Sequence, residues 1–197
     1  IVTNRTYDAW AAGPETITGL AAWTAVRAVT LGDDAQGTRV QTLPVNSSVF
    51  GLLGVRPSLG TIFSEAGKDL PREIILSHGL WRERFGGAPD IVGRALIVDG
   101  MSRVVVGVMP ASFQFPNPEV RAWLPFRVPP VQSHEGTTQS LSMFNAMARL
   151  RPGATASQAA AEAAPLAEAN KVRAALLAAV GHDFRTPLAA AKASVST

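Results

Sequence analysis

Residues 72–109 read REIILSHGLWRERFGGAPDIVGRALIVDGMSRVVVGVM. The apolar run Ile74 to Leu76 predicts a short buried strand. Ser77 is a candidate N-cap, and Leu80, Trp81 and Phe85 give the following helix an apolar side. Gly86-Gly87 stops that helix. RALIVDG and SRVVVGVMP then predict two strands joined across Asp99-Gly100, a two-residue turn signal. A strand, a helix and a hairpin in so short a span make the chain α+β.

Working toward the N-terminus, TAVRAVTLG (24–32) and GTRVQTLPV (37–45) alternate β-branched with polar residues and predict strands, with turn chemistry in GDDAQG between them. Asn46-Ser47-Ser48 predicts the cap of a short helix that Gly54 ends. Residues 3–23 read as two helical pieces broken at Gly13-Pro14, with Tyr7, Trp10, Ile17 and Leu20 on one buried side. Toward the C-terminus, residues 110–130 are rich in Pro and aromatic residues and predict an irregular packed loop. Residues 131–140 are polar. SMFNAMARL (142–150) predicts a strand, and an Ala-rich helix follows with Thr155 as its cap. Beyond about residue 154 there is no Trp or Tyr and Ala dominates.

The chain has 197 residues, 47% of them hydrophobic and 17% charged, which supports a packed core and excludes wholesale disorder. The net charge is +3, and no run of basic residues stands out, so no dedicated nucleic-acid surface is expected. With no Cys, disulfides and thiolate metal sites are excluded. The start, IVTNRTYDAW, carries no signal-peptide pattern, and no window of about 18 uninterrupted apolar residues occurs. The sequence reads as a fragment whose membrane anchor lies outside it.

Within 1–168 the chemistry-bearing residues are sparse. No GxxxxGK[ST] phosphate loop occurs. His78, beside a cap, reads as structural or solvated. His134-Glu135 falls short of the three or four ligands that zinc needs, and Asp33-Asp34 reads as a turn with too few oxygens for Ca²⁺. Trp10, Trp23, Trp81 and Trp123 read as core anchors.

Three blocks occur in order: VNSSVFGLLGVRPSLGTIFS (45–64), IILSHGLWRERFGGAPDIVGRALIVDGMSRVVVGVMPASFQFP (74–116) and MARLRPGATASQAAAEAAPLAE (147–168). Together they resemble the MacB-like periplasmic core domain of ABC-transporter permeases. The resemblance implies a porter-like body over 1–168 with an inserted β-rich subdomain, lying outside the cytoplasmic membrane. It also implies a non-catalytic role in contacting partners or substrate. Its partners would be the transmembrane and ATPase parts of a permease and periplasmic adaptor proteins.

The last stretch, KVRAALLAAVGHDFRTPLAAAKASVST (171–197), has helical composition. With Leu177 at heptad position a, Val180 falls at d, Phe184 at a and Ala191 at a, which leaves His182 at the outward position f. A neutral imidazole there can attack phosphorus. Asp183 can hold the other ring nitrogen's proton, and Arg185 can donate to a phosphoryl group. Pro187 bends the helix just beyond. HDFRTPL resembles the H-box of sensor histidine kinases, and 175–196 is most similar to the KdpD type. The resemblance makes His182 the phosphoacceptor, Asp183 the supporting acid and Thr186 an aid to the phosphatase reaction. ATP would be held only by a separate domain, and the partners would be a kinase domain, a response regulator and a helix-mediated dimer. Gly181 stands where Ser is usual and Phe184 where Leu is usual; Gly181 costs the helix roughly 1 kcal/mol.

The two modules conflict, because the first belongs outside the membrane and the second inside. The thirteen residues between Glu168 and His182 include Asn170, Lys171 and Arg173, and cannot cross a bilayer. No ATP-binding domain follows, so the chain holds no complete active site. Three accounts stay open. The chain is a permease core with an accidentally fused tail, or a sensor-kinase piece with a permease-like sensor, or an α+β protein whose last helix mimics an H-box.

Overall fold

The computed structural model of the chain describes residues 1–13, 15–32, 37–64, 69–131 and 142–164. They divide into two compact units. The first takes in the described residues of Thr18–Val128 and Phe144–Arg149; the second takes in those of Val2–Ile17, Pro129–Met143 and Leu150–Thr197. The elements are β1 (Val2–Thr3), α1 (Asn4–Ala11), β2 (Ile17–Trp23), β3 (Arg27–Leu31), β4 (Thr38–Val45), α2 (Ser48–Leu52), β5 (Leu59–Gly60), β6 (Glu73–Leu76), α3 (His78–Phe85), β7 (Ala95–Val98), β8 (Met101–Val108), β9 (Ala122–Pro125) and β10 (Met143–Leu150). A single 3-10 turn, Pro89–Ile91, precedes β7. The fold is mixed helix and strand, with strands dominant.

In the first unit, six strands close on themselves. β4 pairs with β3, β3 with β7 and β7 with β8, all antiparallel. β8 lies parallel to β6, β6 antiparallel to β9, and β9 parallel to β4, which completes the ring. Closure leaves these strands few free edges. Successive side chains of a strand point to opposite faces, so the ring sorts its residues into two clusters. Val29, Leu31, Val40, Ile74, Leu76, Leu96, Val98, Val105, Ala122 and Leu124 form one cluster, with at least one member from each of the six strands. Only the interior of the ring can bring all six together. Leu80 of α3 and Ile91 of the 3-10 turn join that cluster and stopper one end.

The intervening residues face outward. Leu43, Val45, Ile75 and Trp123 pack with Val49 and Phe50 of α2 and with Phe113 of the loop before β9. Trp123 is fully buried, and its indole N–H donates to the Phe115 carbonyl at 3.1 Å. Phe113 and Phe50 lie 5.0 and 6.5 Å from its ring.

Local chemistry explains the element boundaries. The Ser77 hydroxyl accepts from the Leu80 amide at 3.1 Å, and α3 ends at Gly86. Asp99 (φ 47) and Gly100 (φ 73) both lie in the left-handed region, which makes the β7–β8 connection a type I′-like hairpin turn. β8 bulges opposite β6: Ile74 pairs with Val105 but Ile75 with Gly107, so Val106 is the extra residue and Val105 and Val108 both face the interior. Gly107 also pairs with Gly60 of β5, and a Cβ on Gly107 would sit 2.4 Å from the Thr61 carbonyl oxygen, so the approach needs glycine there.

Two sequence expectations are corrected. Residues 17–23 form β2, not a second helix; Ile17 is buried, whereas Tyr7, Trp10 and Leu20 are only half-buried. Four of the seven residues of ITGLAAW (Ile, Thr, Gly, Trp) are poor helix formers, and Trp23 pairs with Val45 in the sheet. The 110–130 loop contains β9, the strand that closes the ring. AWLP is buried on both faces, so it shows no polar alternation. Its Pro-rich flanks mask it further.

In the second unit, the Thr3 hydroxyl caps α1 by accepting from the Thr6 amide at 3.3 Å. Residues 156–164 are helical, and Thr155 and Gln158 cap them reciprocally: the Gln158 amide donates to Thr155 Oγ1 at 3.2 Å and the Thr155 amide to Gln158 Oε1 at 2.8 Å. Trp10 Nε1 donates to the Ala159 carbonyl at 2.9 Å. The Glu162 carboxylate accepts from the Glu15 amide at 2.5 Å, the Thr16 amide at 3.1 Å and the Thr16 hydroxyl. The Thr16 hydroxyl bond, then the Glu15 amide, hold the Glu162 pKa below its ordinary value. The expected C-terminal helix of 171–197 lies outside the described residues.

Truncating Trp123 to Ala should cost about 3–5 kcal/mol, as for other fully buried aromatics; urea unfolding should show the midpoint fall with an unchanged slope. Because the folded Glu162 pKa is depressed, its contribution is present above the ordinary Glu range and lost as pH falls through the folded pKa. The Glu15 and Thr16 amide resonances should therefore titrate on the acid side of that range, and Glu162→Gln should abolish the titration.

Candidate functional site

Within the first unit, α3 starts where β6 ends. This puts Ser77, His78 and Gly79 beside Arg121, whose carbonyl accepts from the Ser77 amide at 2.8 Å. The Arg121 guanidinium reaches back along α3 and pairs with Glu83 at 2.7 Å. Gly79 lies against it: a Cβ there would stand 3.5 Å from Arg121 Nη2, an ordinary contact.

The ion pair divides two open grooves. The larger, about 510 Å³, is lined by Thr38, Arg39 and Gln41 of β4, Arg84 of α3, and Pro118 and Glu119. The smaller, about 270 Å³, is lined by His78, Gly79, Pro110, Phe113 and Gln114. Arg121, Glu83 and Pro118 border both. The Arg84 guanidinium donates to the Thr38 hydroxyl, which ties α3 to β4 across the larger groove. His78 lies edge-on to Trp81 with centroids 5.4 Å apart, and Trp81 Nε1 donates to the Ala88 carbonyl at 2.9 Å. His78 therefore packs as a half-buried ring.

The walls are a helix and a closed sheet, with one exposed ion pair between them. Among the described residues, no group of three or more His, Asp or Glu side chains is placed to hold a metal. His182, Asp183, Arg185 and Thr186 lie outside the described residues, as do His134, Glu135, Asp33 and Asp34. Of the four tryptophans, Trp123 is the full core anchor; Trp10, Trp23 and Trp81 are half-buried. The groove residues gave no signal in the sequence, because Gln41, Glu83 and Arg121 come from three separate elements.

A family model of the MacB-like periplasmic core domain matches residues 2–166. The chain belongs to that family. Solved structures agree in fold. The extracellular domain of the noncanonic ABC-type transporter YknZ from Gram-positive bacteria is 19% identical, with a TM-score of 0.57 over 86% of this chain and 84% of that one. The periplasmic region of MacB from Actinobacillus actinomycetemcomitans is 11% identical, with a TM-score of 0.58 over 89% and 75%. A domain of a putative permease protein from Porphyromonas gingivalis is 18% identical, with a TM-score of 0.54 over 78% and 70%. A search among curated proteins finds no match. As a MacB-like domain, the described body is the periplasmic or extracellular part of an ABC-type transporter permease. Among the described residues, no helix is long and apolar enough to cross a membrane.

The exposed Arg121–Glu83 pair should contribute less than about 1 kcal/mol to stability. A double-mutant cycle on Arg121→Ala and Glu83→Ala, read by thermal unfolding, checks this.

Proposed function

We propose that this domain is a non-catalytic contact module of an ABC-transporter permease. It would engage a periplasmic adaptor protein or the transported substrate while ATP is hydrolysed by a separate ATPase subunit. The family match over residues 2–166 carries this reading. The closed ring supports it: a wall without free edges deforms little, so displacement at one end is passed to the other. The grooves around Arg121 and Glu83 are the surface on which contact would occur, since their polar groups are displayed on rigid elements. The domain itself would bind no cofactor.

The test uses the membrane-embedded transporter that carries this domain. Replacing Glu83 and Arg121 together by Ala should lower export of its substrate severalfold while the domain's unfolding temperature stays nearly constant. Undiminished export would remove the grooves from the reading.

For the tail we propose a phosphoacceptor role for His182, supported by its HDFRTPL motif and its outward heptad position. Incubation with a complete KdpD-type kinase and labelled ATP should place acid-labile label on the chain, and His182→Gln should abolish it. Absence of transfer while the kinase labels itself would sink the role.

A further inference from the structure

At the end of the ring opposite α3, the strand registers bring together arginines far apart in sequence. Arg103 of β8 stands directly across from Leu96, a member of the interior cluster, and so points to the same face. Arg72 precedes Ile74 by two residues as Arg103 precedes Val105, and Ile74 pairs with Val105; Arg72 and Arg103 are thus cross-strand neighbours on the interior face. The Arg72 carbonyl accepts from the Val104 amide at 2.8 Å, which keeps it in the ladder. Arg27 of β3 precedes Val29 by two, shares its face and stands across from the buried Thr42. β3 is antiparallel to β7 and its last residue, Leu31, pairs with the last residue of β7, Val98, so the start of β3 extends beyond β7 toward that end. Arg27, Arg72 and Arg103 therefore rim one mouth of the ring.

Among the described residues this cationic rim is only partly offset, by the Asp99 carboxylate, whose charge works against the fall in the Arg103 pKa. Two carboxylates lie nearby, and each is already engaged: Asp99 Oδ1 accepts from the Thr30 amide at 2.7 Å, and Glu73 accepts from the Ser64 amide at 2.9 Å and its hydroxyl at 2.7 Å. Arg103 is half-buried, its Nε is buried without a hydrogen-bond partner, and Nη1 reaches only the Glu73 carbonyl at 3.5 Å. Burial first, then the charges of Arg27 and Arg72, push the Arg103 pKa down. A buried guanidinium donor left unpaired is costly, and like charges gathered around it add to the cost. An anion bound at the mouth would offset the gathered charge.

We infer that the mouth rimmed by Arg27, Arg72 and Arg103 is a binding site for a phosphate-bearing group. Three guanidinium groups on one rim carry more donors than the two oxygens of a carboxylate can accept. A phosphate offers a further oxygen and a second charge. The group can come from a free phosphate ligand or from a lipid headgroup, and the recognising chemistry is the same.

The test uses the full 197-residue chain. Inorganic pyrophosphate, added at constant ionic strength, should move the Arg103 Nε–Hε resonance along a saturable curve. Arg27→Gln and Arg72→Gln, both at exposed positions, should each weaken binding about threefold or more, and Arg103→Gln about tenfold. Arg82→Gln, at an exposed position on α3 that lines neither groove, should leave binding unchanged. Sedimentation with phosphatidylglycerol vesicles separates the sources. Binding to vesicles that pyrophosphate competes away assigns a headgroup, and saturable pyrophosphate binding without vesicle binding assigns a free ligand. A non-saturating response, or equal binding by the Arg27 and Arg72 variants, overturns the site.

Discussion

The parallel pairing of β9 with β4 is the constraint on which the first unit depends. Without it, β3, β4, β6, β7 and β8 would form an open sheet with two exposed edges. With it, four residues, Ala122 to Pro125, satisfy Thr42 to Val45 on one side, while Trp123 and Ala122 satisfy Ile75 and Leu76 on the other. The same four residues serve both cores: Ala122 and Leu124 face the interior, and Trp123 faces the outer cluster. A strand so short can hold a ring closed because every side chain but the last is buried. About 25 cal/mol per Å² of apolar surface then adds to each ladder bond.

Closure also explains where polar chemistry can reside. The interior is filled by side chains from six strands together with Leu80 and Ile91. No ligand can be threaded through such a packed core, in which even a methylene is felt. Function is confined to the two ends and the outer walls. At one end, α3 displays Glu83 and Arg121 between two grooves. At the other, strand starts and hairpins expose Arg27 and Arg72.

The readable part of the sequence was the part governed by local rules. Ser77, Asp99-Gly100, Thr155 and the alternation of GTRVQTLPV each act through residues within a few positions, and each does in the structure what its chemistry predicts. β2 and β9 escaped because their pairing is non-local. Ile17 and Leu20 of β2 are also spaced as on one helix side, and the partner strand decides between the two readings. β9 is buried on both faces and flanked by prolines. The arginine mouth escaped for a related reason: residues 27, 72 and 103 are each unremarkable, and only the registers of β3, β6, β7 and β8 bring them to one rim. The chemistry most legible in the sequence, HDFRTPL, falls outside both the family match and the described residues.

The two ends differ in how they carry charge, and the difference bears on what each can do. At the α3 end, Arg121 and Glu83 neutralise one another in solvent, where an ion pair is worth little. Such a pair can open at small cost and re-form with a partner's charges, which suits a contact that must be made and released. At the opposite end, three like charges, those of Arg27, Arg72 and half-buried Arg103, share a rim, and the nearby carboxylates also accept from backbone amides. The backbone of the rim is held by the sheet, and Asp99 offsets only part of the charge gathered at Arg103. An anion from outside would offset the rest. The ring thus joins an adaptable surface to a preorganised one, with a stiff apolar core between them.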